Sequence, residues 1–141
     1  MGKNHLALTR LLEETGPSGF EQPIRNLISK EIKKYVDDIK IDKFGNLIAH
    51  KKGKKPTVLL VAHMDEIGLL IKNISIEGHI FTAAVGGIEP LVLLGEHVKI
   101  KTKKGFIHGV ITTKEIHNGD EVTAIPNMKD IYVDTGLKEL E

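Results

Sequence analysis

"LLVAHMDEIGLLI", residues 59–71, sets a histidine and two acids directly behind an apolar run that carries no charge. The run covers Val58 to Ala62, five consecutive apolar residues, rich in branched side chains and too short for a convincing helix. Such a segment suits a strand buried on both faces, as in parallel sheets covered by helices. In open α/β sheets ligands gather beyond the carboxyl ends of the strands, which is where His63 and Asp65 then fall. Residues i and i+2 of extended backbone point to the same side. Asp65 is therefore placed to accept one ring N–H of His63, fix its tautomer and raise its basicity as a metal ligand. The triplet alone is equally compatible with a histidine satisfied at a strand end beside a loop acid.

Upstream, Leu8, Leu11 and Leu12 recur at helical spacing, and Gly16 is a natural stop. "SGFE" at 18–21 has the form of a capping box, with Ser18 accepting an N–H three residues on and Glu21 reaching back. Phe20, Ile24, Leu27, Ile28, Ile32 and Tyr35 then keep one apolar face for about four turns, which predicts a helix packed on a sheet. From residue 38 the period changes: "DIKID" alternates, "KFGN" supplies turn residues and "LIAHKK" resumes an extended run, a hairpin-like unit.

Downstream of residue 66 the character changes again. "GLLIKNI", "GHIFTAAV", "GEHVKIKT", "GFIHGVIT" and "EVTAIP" read as short strands separated by glycine-containing turns, the pattern of a small antiparallel barrel or sandwich. Two units are expected, 1–66 of α/β type and 67–141 of β type, although the 141-residue length alone suggests one domain.

Composition excludes several functions. Twenty basic against nineteen acidic residues leave a net charge of +1, so no global field draws nucleic acid or an anionic membrane surface. The lysines at 51, 52, 54 and 55 surround a glycine and read as a solvated turn. The absence of cysteine removes disulfides, thiolate metal sites and a cysteine nucleophile together. No apolar stretch reaches the ~18 residues of a membrane span, and no signal-peptide pattern opens the chain, so a soluble cytoplasmic protein is expected.

Five stretches carry a resemblance: "GPSGFE" at 16–21, "DKFGNLIA" at 42–49, "AHMDEIGLLI" at 62–71, "VGGIEPLVLLGEHV" at 85–98 and "GVITTKEIH" at 109–117. Together they resemble the ordered N-terminal motifs of the tetrahedral, dodecameric cobalt- or zinc-dependent aminopeptidases. These are the glutamyl, leucyl and deblocking enzymes, some of which have carried the name endoglucanase. The resemblance implies a two-metal exopeptidase acting on peptides, homo-oligomeric, with a PDZ-like β-barrel dimerisation domain inserted just after the first metal ligand. Carried over, His63 matches that ligand, and Asp65 matches the catalytic-site acid that supports it.

The rest of the family's set is a bridging aspartate, a Glu-Glu pair comprising the general base and a ligand, a further aspartate and a distal histidine. It lies beyond the inserted domain, so the chain is expected to be truncated, to hold no metal tightly and to be inactive alone. Glu13 and Glu14 precede the strand and cannot be that pair, and Asp120, Asp130 and Asp134 lack the bridging context. Leu91, Thr112 and "KEIH" depart from the family's usual arginine, glycine and Lys-Pro-Pro-His. His117 is expected in a structural or surface role, the other reading being an approach to an active site from the dimerisation domain. His5, His50, His79, His97 and His108 match no ligand pattern. Two further classes stand beside the enzyme: a non-catalytic oligomerisation module that keeps the barrel, and an endoglucanase. The last needs two carboxylates flanking a sugar at a defined separation, and no matched pair is visible.

Overall fold

The computed structural model describes residues 3–113 and 126–137. They form two compact units, Met1–Glu66 and Ile67–Glu141. The whole is mixed α/β, with a curled antiparallel sheet in the second unit.

In the first unit, helix α1 (Lys3–Glu13) ends ahead of Gly16, and Arg10 near its end pairs with Glu31 of α2 (Gln22–Ile32). The capping box is not formed. The N-cap is Glu21, whose carboxylate accepts the Gly19 N–H, while the Ser18 hydroxyl leaves the helix for Asp65. Pro23 occupies the second helical position and has no N–H to offer, so a side-chain cap from Glu21 would lose one of its two usual donors. The expected burial of α2 on a sheet is also narrower than the apolar stripe suggests. Ile24 is buried, whereas Phe20 and Tyr35 stay open.

Strands β1 (Asp38–Ile41) and β2 (Leu47–His50) pair antiparallel from Asp38↔His50 to Ile41↔Leu47, giving the expected hairpin. Its turn is organised by one carboxylate. Asp42 Oδ1 accepts the backbone N–H groups of Phe44 and Asn46, both at 2.9 Å, and Oδ2 accepts the Asn46 amide at 2.8 Å. Gly45 sits at φ +87°, a conformation that costs a residue with a Cβ roughly 1–2 kcal/mol. Past the hairpin, Asp37 accepts the Lys52 N–H at 2.7 Å and lies 3.4 Å from the Lys51 ammonium. The Asn46 side chain and backbone hold the Asp42 carboxyl below the usual range, and the Lys52 N–H does the same for Asp37.

Both groups therefore bind a proton more readily unfolded than folded. Their ionised forms favour the folded hairpin at neutral pH, and that contribution is withdrawn as pH falls from about 4 downward through the depressed folded values. The β1–β2 amides are expected to lose exchange protection in that window before the β4–β7–β6 amides do. Replacing Asp42 with Asn should shift the loss to higher pH and flatten it. Hydrogen exchange followed by NMR from pH 6 to pH 2.5 reads both effects.

The segment that opens the sequence reading is expected as a central strand in the complete fold and, where further strands and helices do not flank it, as exposed apolar surface; the second state is the one found. Val58, Leu59, Leu60 and Val61 join no ladder and are 76%, 83%, 90% and 84% exposed, so the buried central strand is not formed among the described residues. A central strand needs a hydrogen-bonding neighbour on each edge and a layer on each face, and none of the first unit's four elements provides either.

The second unit holds β3 (Gly68–Ile74), β4 (Ile80–Val85), a short helix α3 (Pro90–Leu93), β5 (His97–Thr102), β6 (Gly105–Thr113) and β7 (Ile131–Asp134). All pairings are antiparallel, in the order β3-β4-β7-β6-β5. Four of the five glycine-separated segments are strands. "EVTAIP" lies outside the described residues apart from Pro126, as do His117 and Asp120. The central strand, Ile131–Asp134, was not among the expected ones.

Its position explains the core. Val133 faces Ile80 on one side and Ile111 on the other, a row of three side chains at most 2% exposed, with Ile131 beside them at 1%. Leu69, Leu93, Leu94, Val98, Ile100 and Met128 close around this row. Truncating Ile131 to alanine removes buried methylenes where both neighbouring strands are fixed in register, so collapse into the cavity is limited. A loss of about 3 kcal/mol is expected, read as a lower urea midpoint. An unchanged midpoint would contradict the placement of β7 at the centre.

Candidate functional site

The site is built where the loop after α1 meets residues 64–66. Gly16 and Glu66 clasp each other: the Glu66 N–H donates to the Gly16 carbonyl at 3.0 Å, and the Gly16 N–H donates to Glu66 Oε1 at 2.9 Å. Pro17 and Glu66 form an isolated parallel bridge. The Phe20 N–H returns to the Pro17 carbonyl at 2.8 Å and closes the turn that presents Ser18. Glycine is required at 16 by crowding, since a Cβ there would lie 2.5 Å from Ile24 Cγ2. Buried Ile24 thus ties the clasp to the body of α2.

His63 and Asp65 lie together in this frame. The ring Nδ1 is 3.0 Å from the Asp65 carbonyl oxygen and 3.1 Å from Oδ1, and Ser18 Oγ donates to Oδ2. Both neighbours of Nδ1 are acceptors, so Nδ1 carries the proton, and a neutral ring then offers its lone pair at Nε2. The His63 side chain is 86% exposed and is not enclosed in a core. The Ser18 hydroxyl first, and the His63 ring second, hold the Asp65 carboxyl below the usual carboxylate range. It is ionised at neutral pH and orients the ring without competing to donate.

What this arrangement offers a metal is limited. Among the described residues no three His, Asp or Glu side chains come together as a metal-holding group. A catalytic zinc takes three protein ligands and an open position, so the donors here fit one corner of such a site.

The other candidates are occupied elsewhere. Glu14 accepts the adjacent Thr15 N–H at 3.1 Å. Asp130 accepts the Asn127 N–H and Asp134 the Gly136 N–H, each closing a turn. His50 pairs with Asp38 in the hairpin, His79 stacks on Tyr132 with centroids 4.1 Å apart, and His97 and His108 lie on β5 and β6. Ser18 was missed as a site residue. It lies 47 positions from Asp65, and its one local signal, the helix-cap pattern, pointed to a different partner.

Residues 45–141 match the model of the M42 glutamyl aminopeptidase family. The chain belongs to that family. It is 39% identical over 105 residues to the lysyl aminopeptidase of Pyrococcus furiosus, covering 74% of this chain and 30% of that protein. It is 30% identical over 131 residues to the glutamyl aminopeptidase of Lactococcus lactis, covering 88% and 37%. Among solved structures, a TET aminopeptidase from a marine-sediment Thaumarchaeota archaeon aligns at TM-score 0.89 and 33% identity, over 96% of this chain and 39% of that one. The TET1 peptidase of Pyrococcus horikoshii, described as assembling into a tetrahedron or a large octahedral shell, aligns at 0.84 and 37%, over 95% and 41%. A Thermotoga maritima protein described as an endoglucanase also aligns, at 0.77 and 32%, over 93% and 38%. The chain spans about a third of the length of the relatives it matches. Among the described residues no helix is long and apolar enough to cross a membrane.

Proposed function

We propose that this chain is the N-terminal part of a divalent-metal-dependent aminopeptidase that removes residues from the amino ends of peptides. In this reading His63 supplies one metal ligand through Nε2, and Asp65 is the acid that holds the ring. The observation that carries it is the His63 ring, tied at Nδ1 by two acceptors and open at Nε2. Zinc or cobalt, as a pair in the complete enzyme, would supply a water acidified toward neutral pH and a polarised peptide carbonyl. This chain's own contribution is orientation. The Gly16–Glu66 clasp fixes the loop, Asp65 stays ionised and His63 keeps one tautomer. The general base and remaining ligands would be supplied by other residues of the complete enzyme, to which the activity would belong.

In the same reading residues 67–141 are the inserted PDZ-like dimerisation domain, the assembly is homo-oligomeric and the protein is cytoplasmic. The shell-forming TET relative and the self-contained core of the second unit support the first two points. Two similar structures carry an endoglucanase description, but the similar lysyl and glutamyl aminopeptidases favour the peptidase reading. The coding DNA after codon 141 tests the proposal. An in-frame continuation encoding an adjacent glutamate pair and further histidine and aspartate ligands is expected. A stop codon with no such segment encoded nearby would contradict it.

A further inference from the structure

We infer that Ser18 is a positioning residue for His63: its hydroxyl fixes the plane of the Asp65 carboxylate so that Oδ1 faces the ring and the metal-binding nitrogen is held outward. The inference deepens the reading of His63 as a ligand and rests on it. An aspartate carboxylate turns easily about its last bond, because that torsion is broad and roughly two-fold. Asp65 sits in a loop, and its side chain is 37% exposed, so packing alone does not stop this rotation. Its two oxygens are divided instead: Oδ2 takes the Ser18 hydroxyl, and Oδ1 lies 3.1 Å from His63 Nδ1.

Ser18 is itself held. The loop that carries it is clasped to Glu66 by two backbone-anchored hydrogen bonds and closed by the Phe20-to-Pro17 bond, and Gly19 after it takes φ +87°. A run of fixed contacts thus leads from the clasp through Ser18 and Asp65 to the ring. The alternative is a stitch that only fastens the loop. It predicts lost stability with no change at His63, because the Asp65 carbonyl at 3.0 Å would still accept from Nδ1.

The test is long-range 1H–15N NMR of the intact, metal-free chain labelled at histidine, with His63 assigned from the His63→Ala spectrum. The wild type is expected to show His63 as the Nδ1–H tautomer. Ser18→Ala should raise the Nε2–H fraction about threefold, less than the loss of a whole hydrogen bond to a charged group, because the Asp65 carbonyl still accepts from Nδ1. Ser18→Thr, which keeps the hydroxyl, should restore the wild-type ratio. Should Ser18→Ala not fold, Ser18→Cys keeps the volume with a weak donor and should give an intermediate ratio. A His63 tautomer ratio unchanged in Ser18→Ala, or in Ser18→Cys, would overturn the positioning role. Addition of cobalt(II) tests the underlying reading separately: His63 Nε2 should shift or broaden before the other histidines, in wild type and Ser18→Thr alike. Selective loss elsewhere with His63 untouched would overturn the ligand assignment, whatever Ser18 does.

Discussion

The purified 141-residue chain is expected to release no amino acid from peptide substrates in the presence of cobalt or zinc, beyond what the metal alone releases. Hydrolysis at a metal centre needs a metal held in place, an acidified water and a group to carry the proton. The described residues bring together one exposed histidine and the acid beside it, and no third donor. Removing the groups that act as a unit in a catalytic site costs several orders of magnitude in rate. Wild type and His63→Ala should therefore be indistinguishable over hours with aminoacyl-p-nitroanilides. Metal-dependent release by the wild type above the His63→Ala control would show that the chain completes a site by itself.

The second large effect concerns Val58 to Val61, four consecutive apolar residues at 76–90% exposure with backbone in no ladder. Fully burying side chains of this kind is worth about 1.5–3 kcal/mol each. An extended apolar segment with unpaired N–H and C=O groups is also a template for another strand. The chain is expected to self-associate through this segment. Replacing Leu60 with Lys and Val58 with Thr should raise the monomer fraction by about tenfold or more in light scattering, because burying a lysine head group in such a contact is costly. The second unit's core shares no residue with the segment, so its urea midpoint should stay unchanged. A wild-type chain that remains monomeric at millimolar concentration would contradict this account.

Four strands of the second unit, β3 to β6, were legible because each is a short strand-like run set off by glycine, a signal that local sequence carries. β7 was not legible. "IYVD" is four residues that follow one turn-forming acid and end on another, and its rank as the central strand comes from pairing with β4 and β6, which no local pattern encodes. The hairpin turn was visible in "KFGN", and the structure adds that one carboxylate, Asp42 just before it, organises it. Val58 to Ala62 lies exposed here because no described element flanks it, while the sequence expects it as a central strand of the complete fold. Branched apolar content reports what a segment tolerates when buried, and a strand forms only where neighbours complete its edges. At the site, the closeness of His63 and Asp65 followed from i, i+2 geometry. Ser18 did not, because its helix-cap pattern is locally self-consistent and the competing acceptor is 47 residues away.

The central claim is that His63 and Asp65 form one corner of a peptidase metal centre that other sequence completes. The most direct measurement is the activity of a chimera in which residues 1–141 replace the matching N-terminal portion of the Pyrococcus furiosus lysyl aminopeptidase, which is 39% identical over 105 aligned residues. The account predicts cobalt- or zinc-dependent release of N-terminal residues by the chimera. It also predicts that His63→Ala within the graft lowers kcat/KM by roughly three orders of magnitude, with loss of bound metal. A folded, assembled chimera whose His63→Ala form keeps its metal and its rate would contradict the account.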